Sequence, residues 1–173
     1  ATDSHQWYDS SRGTQIKLSS DIANQESTID DGLQKFLKGG FQIEDDVSVN
    51  TQNESYVAWN WVANGGTQTA NADGSGASLA SNIQANPTAG FSIVTYAGSS
   101  SGAKTVAHGL SEIPEMIIIK NRTDNSRSWF VYHVTASYAS LVPYDGNAAY
   151  YLVLDTNAAR GSGNVFNTTA PTN

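Results

Sequence analysis

Met116-Ile117-Ile118-Ile119 forms an unbroken apolar run between Pro114-Glu115 and Lys120-Asn121-Arg122. A strand with one face in water places a polar residue at every second position. This run therefore predicts a strand buried on both faces, central in its sheet, with all four side chains in the core. Asn121 to Ser128 is almost wholly polar, with Asp124-Asn125-Ser126 at its tip, and Trp129-Phe130-Val131-Tyr132-His133-Val134 returns to β-type sequence. Two apolar strands joined by a polar turn make a hairpin. The remainder of the chain is expected to cover it.

The chain has 173 residues, enough for one domain or two small ones, and a chain of this size buries roughly 70% of its extended surface. It has no cysteine, which excludes disulfides and thiolate metal sites. Nine Lys+Arg against a net charge of -7 argue against nucleic acid and anionic membranes, both of which need a basic face. The longest apolar run, Ala148 to Leu154, falls well short of the roughly 18 residues of a membrane-crossing helix, so no membrane insertion is expected. The first residue is Ala1, consistent with a processed product or a window on a longer chain. Abundant Gly, Ser, Thr, Asn and Ala with scarce Lys and Glu favour strands joined by tight turns, hence an all-β protein with little helix.

Taken in order, Gln6 to Tyr8 reads as a strand end entering a turn in which Asp9 accepts from the amides ahead and pairs with Arg12, while Gly13 takes positive φ. Gln15 to Leu18 is a short strand. Thr28 to Lys38 has helical spacing in Ile29, Leu33, Phe36 and Leu37, with Gly39 as a stop, and predicts a short helix lying on the core. Phe41 to Ile43 is a strand, Glu44-Asp45-Asp46 an acidic turn, and Val47 to Val49 resumes the alternation. In Ser55 to Val62, period two places Val57, Trp59 and Trp61 on one face, predicting a strand whose two indoles enter the core. The competing reading of those indoles is a platform for sugars.

Residues 65–87 are rich in Gly, Ala, Ser and Asn and read as a linker or a loose edge between an N-terminal piece, 1–64, and a C-terminal piece, 88–173, unless the two merge into one domain. Asn71-Ala72-Asp73-Gly74 lacks the acid spacing of a calcium loop and reads as a tight turn. Gly90 to Tyr96 is an alternating strand, Gly98 to Gly102 a hairpin loop before Lys104 to His108, and Tyr150 to Leu154 a late strand.

A search for chemistry yields no catalytic centre. There is no Gly-x-Ser-x-Gly elbow, no phosphate-binding glycine loop and no metal-ligand spacing among His5, His108 and His133, which read as hydrogen-bonded structural histidines. Asp30-Asp31 and Glu44-Asp45-Asp46 are adjacent acids, whereas glycoside hydrolysis needs two carboxylates facing across a sugar. No enzymatic activity, cofactor or metal is therefore expected. A different chemistry is suggested by Tyr138, Tyr144 and Tyr150, in or beside one long loop with Asp145 and Asn147. Aromatic faces next to amide and carboxylate groups suit stacking on, and hydrogen bonding to, a sugar. The same tyrosines also suit packing of the loop or a subunit contact.

Gln6-Trp7-Tyr8 followed by Lys17-Leu18-Ser19 is echoed by Ser128 to Tyr132 followed by Tyr151 to Leu154, as if the chain began and ended in mid-repeat. Gly90 to Tyr96, Val106 to Leu110, Pro114 to Lys120, Trp129 to His133 and Asn167 to Pro171 together resemble a β-rich repeat domain of tail-fibre and other virion proteins of marine and aquatic bacteriophages. Trp7 to Gly13, Gly40-Phe41 and Asn50 with Tyr56 to Trp59 look like the second half of the preceding repeat, so 1–64 would close one repeat and 88–173 open the next. The Leu33 to Lys38 insertion and the Tyr138 to Gly146 loop depart from that pattern. The resemblance implies an antiparallel β-sandwich of jelly-roll or lectin-like kind, without catalytic residues, located in a virion or outside the cell.

The functional expectation is a structural and adhesive module of a tail fibre or related appendage, self-associating into an oligomer and binding host surface glycans. Two other readings are an extracellular filament subunit whose terminal strand completes a neighbour's sheet, and a carbohydrate-active enzyme.

Overall fold

A computed structural model describes residues 3–64, 69–71, 77–100, 102–133 and 150–166. The protein is all-β, with its strands in four antiparallel sheets and a single short α-helix among the described residues. The chain divides into two compact units: Ala1–Tyr8, Gly13–Tyr56 and Glu115–Thr172 in the first, Asp9–Arg12, Val57–Pro114 and Asn173 in the second.

Three sheets belong to the first unit. β1 (Gln6–Asp9), β2 (Gly13–Ser19) and β3 (Ser27–Thr28) follow one another in order, and β4 (Leu33–Leu37) pairs with β5 (Gly40–Ile43). The largest sheet runs β12 (Gly161–Ser162), β11 (Tyr150–Val153), β10 (Phe130–His133), β9 (Met116–Ile119). The expected β9–β10 hairpin is present, in the register Phe130↔Ile119 to His133↔Met116. The roles within it are exchanged, however. β10 lies inside the sheet between β9 and β11, and β9 is its edge.

Burial follows that order. Trp129, Val131 and Tyr132 are 3–4% exposed, whereas Met116 is 52% exposed and Ile117 to Ile119 are half-buried. The expectation that all four residues of the isoleucine run are buried is thus corrected. A strand with a neighbour on one side only lacks half of the cover that a central strand receives. Leu18 of β2 and Leu33 of β4 complete the buried apolar set of this unit among the described residues.

Two other expectations are overturned here. The predicted helix over Thr28 to Lys38 is instead β3 and the β4–β5 hairpin, closed by Lys38-Gly39 with Gly39 at φ +87°. A left-handed glycine in a two-residue turn favours a hairpin, and the register pairs Phe36 with Phe41 across it. The helical stripe is therefore not a buried face: Leu33 is buried, while Phe36 and Leu37 are about half exposed. Conversely Val47 to Val49, expected to be extended, form the helix α1 (Val47–Asn50). Asp46 caps it, its carboxylate accepting from Ser48 N at 2.8 Å.

The second unit holds β6 (Thr69–Asn71), β7 (Ser81–Asn86) and β8 (Phe91–Tyr96), with β7 in the middle. β6 and β7 lie within the Gly/Ala/Ser/Asn-rich stretch 65–87. Again the middle strand carries the burial, in Ser81, Ile83 and Gln84. Gln84 is fully buried, accepting from Ser10 Oγ at 3.0 Å and donating to Ser11 Oγ at 2.8 Å. The Asp9–Arg12 turn forms as expected, with Asp9 accepting from the amides of Ser11 and Arg12 and pairing with the Arg12 guanidinium. Gly13 follows at φ +106°.

Val57 to Val62 is the largest departure from expectation. The segment joins no sheet, and its side chains are not in a core: Val57 is 69%, Trp59 72%, Trp61 60% and Val62 68% exposed. Trp61 stacks on Phe91, with ring centroids 6.0 Å apart, and Asn86 Nδ2 donates to Val62 O.

Candidate functional site

The first unit carries a cleft of about 470 Å³ that opens to solvent. One wall is the segment Ile22 to Ser27. Gln6, Lys17 and Ser19 of the β1–β2 hairpin and Asn125 of the β9–β10 loop supply the rest, with Asp3 and Ser4 at the rim.

The wall is held by partners about a hundred residues away in sequence. Arg122 grips Glu26 with two parallel bonds, Nε to Oε2 at 2.7 Å and Nη2 to Oε1 at 3.0 Å, and Glu26 N donates to Arg122 O. Bidentate pairs of this kind fix geometry as well as charge. Gln25 N donates to Asn125 Oδ1 and Lys120 Nζ to Ala23 O, each at 3.0 Å. Beneath lies the buried Trp129, whose Nε1–H is shared between Ser19 O at 2.9 Å and Ile22 O at 3.2 Å. Its ring lies against Trp7 with centroids 5.5 Å apart. Burial pushes the Lys120 ammonium below its ordinary pKa, opposed by Asp155 and Asp124. Asp124 is held below the usual carboxylate range, chiefly by the hydroxyl and amide of Ser126.

The cleft thus has a fixed polar frame and unengaged side chains within it. Gln6 is pinned by Ser4 O and the Ser19 hydroxyl, and Glu26 by Arg122. The side chains of Lys17 and Asn24 have no hydrogen-bond partner among the described residues. Donors and acceptors of both kinds, around one ammonium, are suited to a polyhydroxylated ligand. One Arg122 bond to each oxygen holds the Glu26 carboxylate in a single orientation at the cleft wall.

Of the five residues proposed from sequence for sugar binding, Tyr138, Tyr144, Asp145 and Asn147 lie outside the described residues. Tyr150 sits on β11 opposite Ser162, with the Arg160 guanidinium 3.9 Å above its ring centroid, so a cation already covers one ring face. His108 is hydrogen-bonded as expected, its Nδ1 accepting from Leu110 N at 3.0 Å. Among the described residues no group of His, Asp and Glu is arranged to hold a metal ion, and no helix is long and apolar enough to cross a membrane. Sequence reasoning missed the cleft because its polar residues are individually unremarkable and come from three separate segments. The β-hairpin signals at Gln6 to Ser19 and Lys120 to Trp129 were the available clue.

An all-β protein with an open polar cleft is the class that fold and site define. The chain belongs, over residues 1–173, to the family described as a domain of unknown function, DUF7483. No curated protein and no solved structure matches it.

Proposed function

We propose that this chain is a non-enzymatic structural and adhesive module, a β-sandwich repeat of a tail fibre or related virion appendage that acts outside the cell, self-associates and binds host surface glycans. The observation that carries the binding reading is the cleft between Ile22–Ser27 and the β1–β2 hairpin, with its pinned frame and the unengaged Lys17 and Asn24. An open cleft lets a polysaccharide pass across rather than end inside, which suits attachment to a surface polymer. The acidic chain favours neutral glycans over anionic ones, since net charge -7 repels polyanions. The resemblance of Gly90 to Tyr96 and Pro114 to Lys120 to virion repeats supports the setting. A filament assembled by strand exchange is the second reading, favoured by the exposed, alternating segment Val57 to Val62, which is assigned to no strand.

The test is retention of the purified chain on immobilised host polysaccharide, with the polymer's length followed over the same period. The reading expects retention, unchanged polymer length, and about tenfold weaker binding for Lys17→Ala with Asn24→Ala, equivalent to about 1.4 kcal/mol. Absence of binding to any surface glycan, or shortening of the polymer, contradicts it.

A further inference from the structure

The β4–β5 hairpin is a two-stranded ladder rooted in the buried Leu33 and, among the described residues, paired with no third strand. Its far end is apolar and open to water. Phe36 pairs with Phe41 across the ladder, and Phe36, Leu37 and Phe41 are 46%, 54% and 40% exposed. Lys35 and Lys38 flank them, both exposed and in no ion pair among the described residues. Residues 33–43 contain no Asp or Glu, so the hairpin carries +2 in a chain of net charge -7, and the remainder carries -9. Exposed apolar groups gathered in one place mark a contact surface.

The base of the same hairpin is its chemical opposite. Glu44 N donates to Gly32 O at 3.0 Å and Asp46 N to Asp31 O at 3.1 Å, which sets Asp30-Asp31 beside Glu44-Asp45-Asp46. Asp30, Asp31, Glu44 and Asp45 are exposed and in no ion pair among the described residues. Apolar groups stand with them. Val47 is 66% and Tyr56 49% exposed, and the tyrosine is fixed on α1, its hydroxyl donating to Val47 O at 3.2 Å and accepting from Thr51 N at 2.9 Å. Four strand steps of about 3.3 Å separate Leu33 from Leu37, roughly 13 Å, which exceeds the Debye length of about 8 Å at physiological ionic strength. Within one copy the two ends therefore do not neutralise each other.

We infer that the Phe36–Phe41 end of the β4–β5 hairpin in one copy docks on the base of that hairpin, around Glu44, Asp45, Val47 and Tyr56, in a second copy. The inference rests on the self-association part of the proposed function and names its interface. Complementarity of two kinds selects the occupant. The tip offers cations around apolar side chains, and the base offers carboxylates around an aliphatic and an aromatic one. Lys35 and Lys38 thus meet carboxylates, while Phe36, Leu37 and Phe41 meet Val47 and the Tyr56 ring. An anionic bilayer complements the tip alone and would repel the -9 of the remaining chain.

Tip and base are different surfaces, so the contact is heterologous. Repeated from copy to copy it closes into a ring or runs on as a fibre. Three half-exposed apolar side chains bury less than the roughly 800 Å² per partner of an ordinary stable interface, so each contact is weak and sensitive to salt.

Charge reversal tests the contact, read by sedimentation over a range of protein concentration and salt, with melting midpoints as the check on folding. Lys35→Glu with Lys38→Glu makes the tip acidic, and Glu44→Lys with Asp45→Lys places cations on the base. Each double reversal moves the net charge of -7 by four, to -11 and -3, so both proteins stay net negative. The inference expects the unmodified chain to associate, and to do so about tenfold more weakly when salt is raised from roughly 0.05 to 0.5 M. Each reversed protein alone should be monomeric with an unchanged midpoint. Their equimolar mixture should associate again, because every tip then meets a base of opposite sign. An oligomer that persists in either reversed protein alone, or a mixture that stays monomeric, overturns the interface and leaves the self-association reading standing. A monomer of the unmodified chain at every concentration overturns both. Co-sedimentation with vesicles of phosphatidylglycerol and phosphatidylcholine that is lost in Lys35→Glu with Lys38→Glu, while that variant still self-associates, gives the tip to a lipid surface and also overturns the interface. Where a reversal lowers the midpoint, Lys35→Gln with Lys38→Gln is measured in its place, and association unweakened by that pair overturns the interface.

Discussion

Trp129–His133 and Val57–Val62 carry the same kind of sequence, aromatic and aliphatic residues at β spacing, and reach opposite states. Trp129, Val131 and Tyr132 are buried to within a few per cent, whereas Trp59 is 72% exposed. The difference lies in the neighbours. β10 has β9 on one side and β11 on the other, its flanking Trp129 N donates to Asp155 Oδ1, and Leu154 N donates to Trp129 O. Among the described residues Val57–Val62 belongs to no strand. Alternation makes a segment capable of being a strand, but the ladder that satisfies its amides and the sheet that covers its side chains come from elsewhere in the fold.

The largest test of that contrast is truncation of the buried indole. Trp129→Ala removes the ring packed on Trp7 and the donor shared by Ser19 O and Ile22 O, and is expected to cost about 3–5 kcal/mol in denaturant unfolding. Glycan retention should fall with it, because the cleft wall loses its anchor. Gly109→Ala comes next. At φ +72° a Cβ would meet Ile83 Cγ2 at 2.8 Å and Ala85 Cβ at 3.0 Å, so a loss of about 1–3 kcal/mol is expected, read as a lower melting midpoint. Gln84→Ala, which deprives the Ser10 and Ser11 hydroxyls of their buried partner, should cost about 1–3 kcal/mol.

Trp59→Ala sits at the other end of the scale. In dilute solution, where copies are separate, it should change stability by less than about 0.5 kcal/mol. A loss as large as that of Trp129→Ala would erase the contrast. The smallest effect concerns Asp124. Its folded pKa lies below the ordinary aspartate value of 3.8, so its contribution is present above that value and fades as pH falls through the lower folded pKa. Carboxyl titration by NMR should place its midpoint below 3.8, and Asp124→Asn should remove the dependence.

Much of the β content was legible in local sequence. Polar turn chemistry located the β9–β10 hairpin, Asp9 and Gly13 marked the first turn, and alternation located β8 and β11. What local sequence did not carry is strand order. The isoleucine run reads as central by composition, yet β10, with a histidine at its end, occupies the middle. Thr28 to Lys38 shows how a helical spacing yields to a left-handed glycine that turns the chain into a hairpin. The cleft was invisible for a related reason. Glu26 and Arg122 are ordinary surface charges until the fold joins them across 96 positions.

Amide hydrogen exchange of the chain, followed peptide by peptide at rising protein concentration, tests the central claim that the alternating segment Val57–Val62 joins no ladder where Phe130–His133 does. The account predicts slow exchange for Phe130–His133 at every concentration. Val57–Val62 should exchange much faster than Phe130–His133 in dilute solution. Protection of Val57–Val62 equal to that of β10 in the dilute monomer would contradict it.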